Sequence, residues 1–133
     1  MLTLNQAQAA IAAGHDRAAQ IGVPVNIAIL DAGAHLKAFG GMDEAVLGSI
    51  DVAVGKARTA ALFGITSEAV WDYCKPGAPA PGLERSNGGL MTFPGGAPLR
   101  DLVGRLLGAV GVSGGSPDQD AEIARVAAAT LNG

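Results

Sequence analysis

The residues able to do acid–base or metal chemistry are few and lie scattered along the chain. His15 and His35 are the only histidines, and Cys74 is the only cysteine. A single thiol forms no internal disulfide and cannot build a cysteine zinc site. Cys74 also has no base nearby in sequence to ionise it, so we expect a structural thiol rather than a catalytic one.

Asp31 and His35 flank the turn of a predicted β-hairpin. A carboxylate that orients an imidazole is one half of an acid–base pair, so the two residues are candidate catalytic groups. The alternative is that Asp31 caps its own turn through its side chain. The composition of the turn favours this second role without excluding the first.

His15 lies at the edge of the apolar stripe of the first predicted helix, one turn after Ile11. The ordinary interpretation is a boundary residue half-covered by its neighbours. The functional alternative is an axial ligand of haem iron, because neutral imidazole is a common metal ligand. One histidine holds a bare ion weakly, whereas haem brings the other four ligands in its macrocycle.

Lys56 occupies the middle of another predicted helix, among small residues. It either extends towards solvent or faces a pocket as a fixed cation, which makes it a candidate catalytic and ligand-binding residue. Together with Arg58 and Thr59 it could bind a carboxylate. Such a carboxylate would belong to a haem propionate or to an organic acid.

Composition narrows the function classes. The chain has 133 residues, 49% of them hydrophobic and 16% charged, which predicts one globular domain over 1–133. The net charge of −3 and nine scattered basic residues exclude a nucleic-acid partner. We expect no membrane span, because the apolar runs are short. The start of the sequence lacks a basic segment followed by an apolar stretch, so the predicted location is cytoplasmic.

The core is predicted to be lean. The chain contains 20 glycines, is rich in alanine, and has only 4% aromatic residues. Small side chains bury little area each, and apolar burial stabilises by roughly 25 cal/mol per Å². A domain with such a core gains stability by association, so we predict a homo-oligomer.

The first half of the chain predicts a helix, a hairpin and two further helices. Thr3 and Gln6 form a capping box at the start of the first helix, while Gly22 and Pro24 end it. Alternating, β-branched segments then predict the two hairpin strands. The predicted helices are 4–21, 49–63 and 67–74, and the predicted strands are 25–30 and 35–39.

The second half predicts a loop and about three strands. The loop 75–82 contains three prolines, which exclude regular structure. A loop of this length is often reserved for function or subunit contacts. The predicted strands are 90–93, 97–102 and 105–113, of which the last two form a hairpin.

A glycine-rich segment, 108–115, leads into the last helix. Its context suits anion binding, but Asp118 and Asp120 at the helix start would repel phosphate, so we predict a tight turn. Ser116 and Pro117 mark the helix start. The element order α-β-β-α-α-β-β-β-α predicts a single α+β domain, with an antiparallel sheet of about five strands flanked by helices.

Four segments, taken in order, resemble the GlcG/HbpS-like family. They are ILDAGAHL at 29–36, SIDVAVGKARTA at 49–60, GGAPL at 95–99, and GAVGVSGG at 108–115 with Asp120. The family includes haem-binding proteins and the C-terminal domain of PduO-type proteins. The resemblance covers almost the whole chain.

The resemblance implies an α+β fold related to profilin-like domains, homo-oligomers, and ligand pockets near subunit contacts. It also implies haem binding, and in one type of member haem degradation. The segment 71–91, which includes the proline-rich loop, matches the family least. Position by position, the resemblance implies that the functional residues of the family correspond to Asp31, His35, Lys56, Thr59, Gly95, Gly96 and Pro98.

Two functions from different classes follow from these observations. The first is a haem- or tetrapyrrole-binding oligomer, with His15 as the candidate axial ligand. The second is an enzyme of small organic-acid catabolism, of tautomerase or hydrolase type. In the second, Lys56 and Arg58 would hold the carboxylate, and the turn pair Asp31 and His35 would move the proton. A scaffold without chemistry of its own is a third, plainer interpretation.

Overall fold

A computed structural model of the chain describes residues 1–131. The helices begin and end close to the predicted positions, and α2 and α3 match the prediction at both ends. A short 3-10 turn at Leu83–Arg85 follows α3. In chain order the elements are α1 (Leu4–Gln20), β1 (Asn26–Asp31), β2 (Leu36–Gly41), α2 (Ser49–Phe63), α3 (Ser67–Cys74), β3 (Gly96–Arg100), β4 (Leu106–Ser113) and α4 (Pro117–Ala129).

Two capping boxes fix the starts of the first and last helices. Thr3 accepts a hydrogen bond from the Gln6 backbone, and the Gln6 side chain accepts one from the Thr3 backbone. Ser116 and Gln119 repeat this exchange at the start of α4, where Pro117 is the first helical residue. Each box satisfies two backbone donors that the helix itself leaves without partners.

The sheet is antiparallel and has four strands in the order β2-β1-β4-β3. The α+β class is therefore confirmed, and the prediction of about five strands is wrong. The extra strand was expected at 90–93, but that backbone bonds elsewhere. The Leu90 N–H donates to the Glu84 carbonyl at 2.8 Å, and the Met91 N–H donates to Thr59 Oγ1 at 2.9 Å.

The sheet has a helical layer on each side. Ile27 and Ile29 point towards α1 and α4, while the alternate residues Ala28 and Leu30 point towards α2. The strand β1 is thus buried on both sides, which explains its almost continuous apolar sequence. The strands β2 and β3 form the two edges, and β2 is mostly exposed.

The aromatic residues all lie at the surface. The core consists of alanine and aliphatic side chains, whereas the five aromatic side chains are between 37% and 57% exposed. Aromatic residues at a surface are typical of sites that contact another molecule. The five residues are Phe39, Phe63, Trp71, Tyr73 and Phe93.

Within residues 1–131, no helix is long and apolar enough to cross a membrane.

Candidate functional site

The turn between β1 and β2 brings Asp31 and His35 together. Asp31 Oδ1 accepts hydrogen bonds from the backbone N–H groups of Gly33 and His35, both at 2.9 Å. These bonds, the one from His35 first, hold the pKa of Asp31 below its usual value. Asp31 therefore caps its own turn, as one of the two interpretations expected.

The same carboxylate also contacts the imidazole. His35 Nδ1 lies 3.3 Å from Asp31 Oδ1, and the His35 side chain is 81% exposed. Because an ionised carboxylate only accepts, a hydrogen bond across this contact requires the proton on Nδ1, and Nε2 of the neutral ring then carries the lone pair. The pair has the geometry to orient a base, but it stands in solvent.

Lys56 is in a very different environment, buried at the other end of β4. Its ammonium donates to the Val112 carbonyl at 2.9 Å and to Asp120 Oδ2 at 3.0 Å. The second carboxylate oxygen of Asp120 accepts from the Gly115 N–H at 2.9 Å. Burial raises the pKa of Asp120, and the nearby Lys56 charge opposes that rise. The polar atoms of the pair are thus hydrogen-bonded within the fold.

Two glycines make room for this lysine. Gly95 has φ +128°, and a Cβ there would lie 2.9 Å from Lys56 Nζ. A Cβ at Gly96 would collide with the Lys56 carbonyl, and the Gly96 N–H donates to Ser67 Oγ at 2.9 Å. The glycine pair therefore lets β3 approach α2 closely. Pro98, further along β3, pairs with Ala109 in the sheet.

Arg58 and Thr59 face other neighbours. An Arg58 guanidinium N–H donates to the Asn87 carbonyl. The Thr59 hydroxyl donates to the Gly55 carbonyl at 2.8 Å and accepts from the Met91 N–H. The structure therefore does not bring Lys56, Arg58 and Thr59 together as one anion-binding group.

The turn pair and the buried lysine are also far apart. Asp31 pairs with Gly108 in the sheet, whereas Lys56 bonds to Val112, four positions further along β4. A strand rises about 3.3 Å per residue, so about 13 Å separates the two levels. One small substrate would have to span that distance to contact both.

His15 is half-buried on α1, where it packs on the edge strand β2. Its Nε2 lies 3.0 Å from the Gly40 carbonyl. A carbonyl oxygen only accepts, so this bond places the proton on Nε2 and leaves the lone pair on Nδ1. The ring is held in one orientation and keeps one nitrogen available for another partner.

Cys74 is 1% exposed at the end of α3. Burial, followed by the charge of Glu84, raises the pKa of its thiol. A thiol in this environment stays protonated near neutral pH, which agrees with the expected structural role.

Asp120 is the residue whose environment sequence reasoning did not predict. It lies in the first turn of α4 as predicted, but the carboxylate that was expected to repel phosphate there is 3% exposed and paired with Lys56. Its position four residues after the capping Ser116 gave no indication of burial. Only its recurrence in the motif of the resembling family pointed to a special role.

The chain matches a known protein family over almost its whole length. The model of the family described as "Haem degrading protein HbpS-like" matches residues 2–129. The chain belongs to the HbpS-like family. The expected resemblance is thereby confirmed over nearly the whole chain.

This HbpS-like chain is similar in sequence to two kinds of known protein. It is 35% identical, over 95% of its length and 89% of the other's, to an uncharacterised 15.0 kDa protein in the dhaT-dhaS intergenic region of Citrobacter freundii. It is 40% identical to the corrinoid adenosyltransferase PduO of Salmonella typhimurium over 88% of this chain. That match spans only 35% of PduO.

Among solved structures, the crystal structure of a PduOC:heme complex is similar throughout. The sequences are 38% identical, the TM-score is 0.91, and the match covers 98% of this chain and 95% of the other. The described fold is thus also that of a protein crystallised with haem.

Proposed function

We propose that this HbpS-like protein binds haem, or a closely related tetrapyrrole, as a homo-oligomer. The observation that carries the proposal is the similarity, over 98% of the chain, to a domain crystallised in complex with haem. At 38% identity the backbone frame is shared, but each ligand contact has to be argued from the residues present here.

His15 is the residue that would hold the haem iron, and the orientation of its ring fits that role. Proteins commonly fix a metal-binding imidazole by bonding its other N–H to a backbone carbonyl. The Nε2–H of His15 makes such a bond to Gly40, which leaves Nδ1 as the donor for iron. His15 is half-buried beside Ile11, so an apolar macrocycle would find apolar surface next to the donor.

His35 is the competing imidazole. Its Nδ1 contacts Asp31, so Nε2 is the donor nitrogen of the neutral ring. The ring is far more exposed than His15, and solvent would surround a macrocycle bound there. We therefore consider His35 the less favourable of the two candidate iron ligands. Variants of each histidine distinguish them by experiment.

Other residues of the chain would hold the ligand in place. Arg58 uses one guanidinium N–H for Asn87, and its other donors are suited to a propionate carboxylate. Lys56, Thr59, Gly95 and Gly96 have positioning roles in this proposal, because their polar groups bond within the fold. When bound, haem supplies a redox-active iron, and the protein supplies binding and orientation.

The proposal of self-association is supported by the surface. Trp71 and Phe93 line a cavity of about 340 Å³ with Thr92 and Pro94, and both aromatic side chains are exposed. Aromatic residues in shallow apolar cavities are the usual energetic centres of protein interfaces. The cytoplasmic location stays a prediction.

A haemin titration followed by visible absorption tests the proposed function, with iron-free protoporphyrin as the matched probe. We expect haemin to saturate near one equivalent per chain with a shifted Soret band. Protoporphyrin, which has the same shape but offers no iron to an imidazole, should bind about tenfold more weakly or worse. Non-saturating binding of haemin would overturn the proposal.

A further inference from the structure

The strand pairs β1–β2 and β3–β4 form two hairpins with the same pairing geometry. Ile27 pairs with Gly40 in the first, and Ala97 pairs with Val110 in the second, so equivalent positions differ by 70 (27 to 97, 40 to 110). Both pairings break register at the same place, after Ile29 in one and after Leu99 in the other. The sheet order places the two hairpins side by side, with both turns at the same end.

The two turns have the same backbone hydrogen bonds. Asp101 Oδ1 accepts from the Val103 and Arg105 N–H groups at 3.0 and 2.9 Å, as Asp31 does in the first turn. Arg105 Nε lies 3.2 Å from Asp101 Oδ2, which corresponds to the contact of His35 with Asp31. Each turn thus carries an aspartate whose Oδ1 accepts two hydrogen bonds from its own backbone and whose carboxylate contacts a basic side chain.

A cavity of about 470 Å³ lies between these turns. Its polar lining comes from both turn aspartates, Arg105 and Lys37, and its apolar lining comes largely from leucines. Such a mixture of apolar wall and few polar groups is typical of small-molecule sites. The residues are Met1, Leu2, Asp31, Ala32, Gly33, Lys37, Asp101, Arg105, Leu106 and Leu107.

Both members of two equivalent pairs line the cavity. Asp31 and Asp101 are identical, whereas the other pair is Lys37 in the first hairpin and Leu107 in the second. Lys37 makes no salt bridge with any residue of 1–131. Leu107 packs against the core. The cavity therefore has a cation at one hairpin and an apolar wall at the other.

We infer that this cavity binds a small monocarboxylate with an apolar body, whose carboxylate pairs with Lys37 and whose body lies against Leu106 and Leu107. Each aspartate in the wall accepts hydrogen bonds from two backbone N–H groups of its own turn, and Asp101 also pairs with Arg105. The side-chain cation in the wall that makes no salt bridge within residues 1–131 is the Lys37 ammonium, which is therefore free to pair with a carboxylate. His15 is not among the lining residues, so this site is separate from the proposed haem ligand.

The probe for this site is hexanoate, with hexylammonium as the control of opposite charge. Amide chemical shifts in NMR spectra report binding at Gly33 and Leu106, which lie on the two sides of the cavity. We expect saturable shifts with hexanoate and none at those positions with hexylammonium. Equal binding of both probes, or no saturable shift with hexanoate, would overturn the inference.

Variants test the role of the charge. Lys37→Leu, which copies the residue of the second hairpin, should weaken hexanoate binding about tenfold, and Lys37→Arg should restore it. Lys75→Leu removes an exposed lysine that follows α3 and does not line the cavity, and it should leave binding unchanged. Unaltered affinity in Lys37→Leu would contradict the inference whatever the outcome of the haemin titration.

Discussion

Lys56 and Asp120 join the two helical layers of the domain through a buried ion pair of 3.0 Å. Lys56 is on α2 and Asp120 is on α4, and their side chains are 3% and 4% exposed. These helices pack on opposite sides of the sheet, so the pair links the layers beside Gly95 and Gly96 at the start of β3. Its role here is the connection of the layers.

Breaking this pair should destabilise the fold strongly. Lys56→Met or Asp120→Asn leaves one buried charged group without its partner, which costs about 3 kcal/mol or more. The free energy of unfolding from urea titrations measures the loss. The control is Glu122→Gln, because the Arg17–Glu122 pair also joins two helices at 2.9 Å but is over a third exposed. That variant should lose less than about 1 kcal/mol. Similar small losses in all three would contradict the role assigned to the buried pair.

The pKa values of three aspartates should be shifted in different directions from the usual value. Backbone hydrogen bonds lower the pKa of Asp31 and Asp101, so the stability they contribute is present above 3.8 and is lost as pH falls through their folded pKa. Burial raises the pKa of Asp120, so its folded form binds the proton more tightly and stability falls as pH rises from 3.8 towards its folded pKa. Carboxyl-carbon NMR titration measures all three. A pKa of Asp120 below those of the turn aspartates would contradict the account.

Gly111 should tolerate no side chain. It lies on β4 under α2, and a Cβ there would collide with the Ala53 carbonyl and lie 2.6 Å from the Ala57 nitrogen. Backbone atoms of a packed helix cannot move aside cheaply, so Gly111→Ala should cost about 3 kcal/mol or more. Gly48→Ala is the control, because no described atom lies within 4 Å of that Cβ. Equal stability of the two variants in thermal unfolding would show that α2 packs differently.

The surface around α3 should hold subunits together. Replacing Trp71 and Phe93 with serine removes two exposed aromatic side chains from one cavity, and the oligomer should dissociate at micromolar concentration. Light scattering coupled to size-exclusion chromatography measures the mass. Leu102→Ser is the control, since Leu102 is 82% exposed but lies on the turn after β3. A monomeric wild type, or a double variant of unchanged mass, would exclude this surface as the interface.

The local elements were predictable from the sequence. Capping residues and periodicity placed α2 and α3 at their observed bounds and α1 within one residue of its end. The error at 90–93 has a physical reason. Its four residues are mostly apolar and were interpreted as a short strand, but the Thr59 hydroxyl, 32 residues away, accepts from the Met91 N–H that a sheet neighbour would need.

Contacts between residues that are far apart in the sequence were not predictable. Lys56 lay at the edge of a helical stripe, and nothing in its neighbourhood indicated a partner 64 residues further along the chain. The two hairpins have few identical residues at equivalent positions besides Asp31 and Asp101. Their backbone geometry is repeated, but most of their side chains are not. The exposure of the aromatic residues likewise depends on packing, which composition does not reveal.

The most direct test of the account is a haemin titration of wild type, His15→Ala and His35→Ala, followed by visible absorption. Both variants remove one imidazole. The His15 ring on α1 is held by the Gly40 carbonyl of β2, whereas the His35 ring lies at the exposed turn. The account predicts that His15→Ala binds haemin at least about tenfold more weakly and loses the ligand-dependent Soret position, while His35→Ala matches wild type. Unchanged binding and spectrum in His15→Ala, with loss in His35→Ala, would contradict it.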